Sequence, residues 1–154
     1  MLDIYVDGDA CPVKGEVYRV ARRHDLKVFV VSHGRIRVPA ECRAEPVRVK
    51  PGFGAADDWI AGHIGDGDIA VTSDIPLADR CIKKGARVLA PNGRPFSDGS
   101  IGDALAAREL MEYLRQMGEI TRGPAPFSPA DRSRFLARLD EIVLSVRRRS
   151  PSVS

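Results

Sequence analysis

Three observations predict an α/β protein: a three-layer arrangement with a parallel sheet, helices on both its faces, and an added C-terminal helix. Short apolar runs rich in β-branched residues alternate with amphipathic helical patterns. The connections between them are short, as successive strand–helix–strand crossovers allow. Two of the apolar runs end directly in aspartate, which suits the carboxyl edge of such a sheet.

The first run, Ile4-Tyr5-Val6, reads as a buried parallel strand and leads into Asp7 and Asp9, one residue apart. Val13, Val17, Val20 and Ala21 then recur at helical spacing up to about His24, with Pro12 or its neighbour in the first turn. Leu26 to Ser32 is nearly all apolar and predicts a central strand, followed by a polar loop containing Arg35 and Arg37. A short third strand is expected from Glu45 to Lys50, closed by Pro51-Gly52. Ala56, Trp59, Ile60 and Ile64 give the core stripe of a second helix that opens near Gly54 and carries Asp57 and Asp58 in its first turn.

Asp68 to Ser73 predicts the next strand, again ended by an acid, Asp74. A helix from about Pro76 follows, with Ile75, Ala78 and Ile82 as its buried face and Gly85 as its C-terminal cap. Arg87 to Ala90 is a further strand. Ile101 to Met117 reads as a helix with Leu105, Leu110, Met111 and Leu114 toward the core. Ser128 and Asp131 form a capping-type start for a last helix carrying Phe135, Leu136, Leu139, Ile142 and Val146. The expected organisation is one α/β domain over 1–121, a Pro-rich linker over 122–129, a helix over 130–149 packing on or extending from that domain, and a frayed basic end from Arg147 with a disordered tail over 150–154.

Composition narrows the classes. The chain has 154 residues, 44% hydrophobic and 29% charged, which fits a folded domain better than a disordered segment. No apolar stretch approaches the roughly 18 residues of a membrane span. The first residues show no secretory-signal pattern, and Cys11, Cys42 and Cys81 are odd in number without metal-type spacing. A reducing, cytoplasmic setting is the expectation. Of the net charge of +3, residues 1–118 contribute nothing (17 basic, 17 acidic), while residues 119–154 carry 7 Arg against 4 acids. A solvated helix face accounts for so small a surplus.

Right-handed crossovers put the carboxyl ends of parallel strands on one edge, so Asp7, Asp9 and Asp74 should converge. Asp57 and Asp58 lie at the start of a helix flanked by small residues, and Asp79 lies one turn beyond Asp74. Carboxylates crowded together repel and are costly to desolvate, which favours a shared proton or a cation. Oxygen ligands without paired His or Cys suit Mg²⁺ or Mn²⁺, which keep waters and meet phosphate groups. Each acid also has a purely structural role to hand: Asp74 can cap its helix, Asp57 and Asp58 can complement the helix dipole, and Asp79 can pair with Lys83. Capping explains one acid at a time and not the convergence. Arg35, Arg37 and Lys50 belong to the densest basic stretch of the body and could hold nucleic-acid phosphates, or simply face water. Trp59 reads as core, Cys11 as a small packed residue, and His33 as a loop residue at the same sheet edge.

The segments VDGDACPVK (6–14), GAADDWI (54–60), GDIAVTSDIPLADRCIKKGA (67–86) and NGRPFS (92–97) resemble the YaiI/YqxD family of uncharacterised bacterial proteins. Gly8 stands where that family's pattern suggests alanine, so a small residue is kept. The family in turn resembles PIN-like domains, metal-dependent nucleases on a parallel α/β sheet. The resemblance implies a divalent-metal site with Asp7, Asp58 and Asp74 as catalytic acids and Asp9, Asp57 and Asp79 as further ligands. It also implies nucleic acid, RNA before DNA, as partner, while a homo-oligomer is a further possibility. Two alternatives stand beside this reading. One is a module that binds nucleic acid without cutting it. The other is a haloacid-dehalogenase-like phosphatase, whose D-x-D opening Asp7-Gly8-Asp9 matches, although the acid pair Asp57-Asp58 here precedes the Thr72-Ser73 strand end instead of following it.

Overall fold

A computed structural model of the chain describes residues 2–52, 54–118 and 127–149. Its strands are β1 (Asp3–Asp7), β2 (Lys27–Ser32), β3 (Arg43–Arg48), β4 (Ile69–Val71), β5 (Arg87–Leu89) and β6 (Pro95–Phe96). Its helices are α1 (Lys14–His24), α2 (Ala55–His63), α3 (Ile75–Lys83), α4 (Asp98–Gln116) and α5 (Pro129–Arg149), with a 3-10 turn over Gly8–Ala10. The six strands form one sheet in the order β3-β2-β1-β4-β5-β6. All neighbours are parallel except β6, which runs antiparallel to β5.

The strand alternation divides the core into two halves. Ile4, Val6, Val28, Val30, Ile69, Val71 and Leu89 face one side, where they pack with Val17, Val20 and Ala21 of α1 and Phe135, Leu139, Ile142 and Val143 of α5. Tyr5, Val31, Ala70 and Val88 face the other, against Ile60 and Ala61 of α2, Leu77, Ala78 and Cys81 of α3, and Ile101 of α4. Buried runs such as Ile69-Ala70-Val71 are apolar on both faces because helices cover both, the signature of parallel sheets. This is the three-layer α/β fold, with α5 laid against α1.

Several elements differ from the sequence reading. The buried face of α3 is Leu77, Ala78 and Cys81; Ile75 and Ile82 sit on its shoulders, so the small thiol outranks the larger aliphatics. In α4 only Ile101 is buried, and Leu110, Met111, Tyr113 and Met117 are exposed, because the helix meets the body only through its first turns. Leu105 and Leu114 are half-buried. Pro12 lies ahead of α1, whose N-cap is Val13, because the 3-10 turn occupies the residues just after β1. The strand expected at Glu45 to Lys50 begins earlier, at Arg43, and is the sheet's edge. The two-residue β6 is too short for periodicity to reveal.

Arg147 is not frayed: it continues α5 and donates to the carbonyl of His24 at the end of α1. The start of α5 matches expectation, with the Ser128 N–H donating to Asp131 Oδ2 at 3.0 Å and the Asp131 N–H to Ser128 Oγ at 3.2 Å. Most of the expected linker (122–126) and the tail over 150–154 lie outside the described residues. No described helix is long and apolar enough to cross a membrane.

Candidate site at the carboxyl edge of the sheet

The strand order creates the site. From β1 the chain steps outward to β2 and β3, then returns to the other side of β1 to lay down β4 and β5. The connections leaving β1 and β4 therefore diverge, and the crevice between them, at the strands' carboxyl ends, is where open α/β sheets bind ligands. Asp7 is the last residue of β1, and Asp74 follows the end of β4. A single hydroxyl ties them together. Thr72 Oγ1, itself buried, donates to Asp7 Oδ2 at 3.3 Å and accepts from the Asp74 N–H at 3.0 Å. Asp74 caps α3, its Oδ1 accepting from the Leu77 N–H at 2.8 Å, which fixes the carboxylate's orientation.

The third acid arrives from α2. Gly54 takes a left-handed conformation (φ 77°) at the N-cap, which turns the chain sharply into the helix. The first turn then presents Asp57 toward Asp7 and Asp74. Burial pushes the Asp57 carboxyl above its ordinary value, and the charges of Asp74 and Asp7 push it further. Asp7 is likewise raised, first by burial and then by Asp9 and Asp74, against the steadying hydrogen bond from Thr72. Asp57 thus feels the charges of Asp7 and Asp74, and Asp7 feels that of Asp74. The capping and dipole roles are real as well, Asp74 above all, but they leave this mutual repulsion unexplained.

The other sequence candidates are placed differently. Asp58 points outward, with a side chain 71% exposed, and pairs with Arg80 at 2.9 Å. Asp79 pairs with Lys83 at 2.8 Å on the flank of α3. Asp9 is engaged by His33, whose Nδ1 lies 2.8 Å from Asp9 Oδ2 and whose N–H donates to the same oxygen at 3.3 Å. An open cleft of about 170 Å³ joins Asp7, Asp9 and Asp57 to His33 and Lys50, with Gly52, Gly54, Ala55 and Ala56 also lining it. Lys50 therefore stands at the site, whereas Arg35 and Arg37 are exposed in the β2–β3 loop and do not line the cleft. Between those two arginines Ile36 packs into the core. An added Cβ on Gly8 would come within 2.9 Å of its Cδ1 and 2.8 Å of Val30 Cγ1, so glycine fits between Asp7 and Asp9 as packed here and even alanine would have to push these side chains aside.

Two participants escaped the sequence reading. In the sequence Thr72 is only part of a strand end, and its place immediately before Ser73-Asp74 is the available signal. The sequence puts His33 at the right edge, but its bond to Asp9 depends on the register of β1 against β2, which pairs Asp7 with Val31. Burial pushes the Cys11 thiol up to about 11, which disfavours the reactive thiolate there.

The donor set is all oxygen and anionic. Among the described residues no group of three or more His, Cys, Asp or Glu side chains is arranged to hold a metal ion. That disfavours an all-protein cage. An ion of the Mg²⁺ type, which takes one or two carboxylates and completes its shell with water and substrate phosphate, needs no such group.

Comparison with known proteins assigns the chain to a family. No solved structure matches it. A UPF0178 protein of Rhodopseudomonas palustris (strain BisB18) is 59% identical over 145 residues, covering 94% of both chains. A UPF0178 protein of Rhodospirillum centenum is 59% identical over 152 residues, 96% of this chain and 99% of the relative. One from Caulobacter vibrioides (strain NA1000 / CB15N) is 55% identical over 148 residues, 96% of this chain and 97% of the relative. The model described as "Uncharacterized BCR, YaiI/YqxD family" matches residues 5–145, so nearly the whole fold, including every acid of the cleft, falls within it, and the chain belongs to the YaiI/YqxD family.

Proposed function

We propose that the protein is a divalent-metal-dependent nuclease that hydrolyses phosphodiesters, RNA more readily than DNA. The observation that carries this reading is the gathering of Asp7, Asp57 and Asp74 at the sheet's switch point, where burial and mutual repulsion raise two of them. Asp7 and Asp74 would hold Mg²⁺ or Mn²⁺, with Asp57 completing the anionic wall. The bound ion would supply an activated water and neutralise charge on the phosphate.

The protein's own groups have separable tasks. Thr72 bridges the Asp7 carboxylate to the backbone N–H of Asp74, which fixes the two acids relative to one another. Lys50, across the cleft, offers a cation to a phosphate oxygen of the substrate. Asp9 fixes the His33 ring at the rim. Arg35 and Arg37, on the neighbouring loop, would contact the backbone farther along the strand.

The test is cleavage of a labelled single-stranded RNA with Mn²⁺. Asp7→Asn and Asp74→Asn should each lower the rate by at least about 100-fold, the scale of losing a principal electrostatic group. Equal activity in these variants would place the chemistry elsewhere. A second reading, nucleic-acid binding without cleavage, draws on the lack of a three-ligand group among the described residues. RNA binding that weakens steeply with salt, with no cleavage at any Mn²⁺ concentration, would select it.

A further inference from the structure

α1 has two working faces. Val17, Val20 and Ala21 are buried against the sheet. Gly15, Tyr18, Arg19 and Arg22, spaced i, i+3, i+4 and i+7, share another face. With Pro39, Glu41 and Cys42, from the segment leading into β3, that face lines an open pocket of about 200 Å³. None of these residues lines the carboxylate cleft.

Packing alone leaves two features of this pocket unexplained. The Tyr18 hydroxyl oxygen is buried without a hydrogen-bond partner, a state that folded proteins rarely tolerate. It is the one such side-chain atom among the described residues. Arg19 and Arg22 are exposed and have no ion-pair partner among the described residues, while Glu41 supplies a single opposing carboxylate. The balance at the rim is positive. At Gly15 an added Cβ would meet nothing within 4 Å, so the mouth is open on that side. Burial raises the Tyr18 pKa, which keeps the phenol protonated and able to donate at neutral pH.

We propose that this pocket binds a phosphate-type oxyanion, with Arg19 and Arg22 neutralising its charge and a small rotation of the Tyr18 side chain bringing its hydroxyl, which has no accessible surface in the free chain, into position to donate to it. The pocket is smaller than the roughly 300–1,000 Å³ of sites that enclose whole organic ligands, so it suits a phosphate group and not an entire nucleotide. Such a group can belong to a small free phosphate or to the backbone of a polynucleotide.

Calorimetric titrations of the full chain in EDTA separate these sources and keep the result independent of any cleavage. One arm uses inorganic phosphate, the other a single-stranded RNA oligomer. Saturable binding is expected in one arm, weakened about tenfold or more by Arg19→Gln/Arg22→Gln, as charge-assisted hydrogen bonds imply. Tyr18→Phe leaves the charge unchanged, so a several-fold weakening by that variant separates a built pocket from general attraction. It should fold with an unchanged or higher Tm, because it removes an orphaned polar group. No binding in either arm, binding indifferent to all three substitutions, or a lower Tm in Tyr18→Phe would overturn the proposal.

Discussion

The Asp7 carboxylate ends an apolar strand, accepts one hydroxyl from Thr72, and feels the charges of Asp9 and Asp74. For an acid whose pKa is higher in the folded chain than in the unfolded one, the folded state binds the proton more tightly. Stability is then greatest below the ordinary carboxylate range, falls as pH rises through the interval up to the raised value, and stays lower above it. Asp7→Asn keeps an oxygen for Thr72 and removes the charge. In EDTA at pH 7 it should stabilise the protein by about 0.5–1 kcal/mol after solvent screening, a Tm gain of roughly 1–4 °C. Scanning calorimetry should show the gain vanishing near pH 4. The sequence made Asp7 and Asp74 legible because each follows an apolar strand. It could not choose between Asp57 and Asp58: adjacent residues on a helix point about 100° apart, and only the docking angle of α2 decides which one enters the cleft.

At the level of elements, α5 shows how much a C-terminal helix can contribute. Phe135 and Leu139 are fully buried in the half of the core shared with α1. Phe135→Ala should cost about 3–5 kcal/mol, read as a lower urea midpoint with an unchanged slope. A helix merely extending from the body would lose far less. Polar contacts brace the same junction: Arg132 reaches Glu16 at 2.9 Å, and Asp140 takes His24 at 2.8 Å and Arg23 at 3.0 Å.

The hydrogen bond from His24, with further help from Arg23, holds the Asp140 carboxyl below its ordinary value. This network's stabilisation is therefore present above the ordinary carboxylate range and is lost as pH falls through the lowered value. Asp140→Asn should cost about 0.5–1 kcal/mol at pH 6, and chemical denaturation at about pH 2–3 should show little difference from wild type. The periodicity in α1 and α5 was readable because both helices lie flat on the sheet. In α4 the same apolar spacing misled, because nothing in a sequence pattern says how far a helix runs past the body it starts on. In α3 the misreading was one of size: a buried cysteine packs like a small hydrophobe.

For the whole molecule, the deciding feature is the reversal of strand order at β1. Handedness alone foretold that parallel strands would end on one edge, so the convergence of Asp7 and Asp74 could be argued from sequence. Which strands become neighbours could not, because β1–β4 pairing joins segments about 65 residues apart and no local signal encodes it. That pairing is what puts Thr72 within reach of Asp7, and what separates this pair from Asp79 on the flank of α3. If a divalent ion is what offsets the repulsion there, it should stabilise the native state by RT ln(1 + [L]/Kd), about 2.7 kcal/mol at a hundredfold excess over Kd. For a chain of this size that is a Tm rise of roughly 5–11 °C with Mn²⁺, measurable without any substrate. Asp74→Asn keeps the helix cap, since asparagine caps as well as aspartate does, so its loss of the Mn²⁺ response would report on the ion and not on the fold. Asp7→Asn should lose the response too. Asp79→Asn, which breaks only the pair with Lys83, should retain it in full. A response that survives in Asp7→Asn and Asp74→Asn, or disappears in Asp79→Asn, would put the cation away from the switch point and break the link between this sheet's topology and its chemistry.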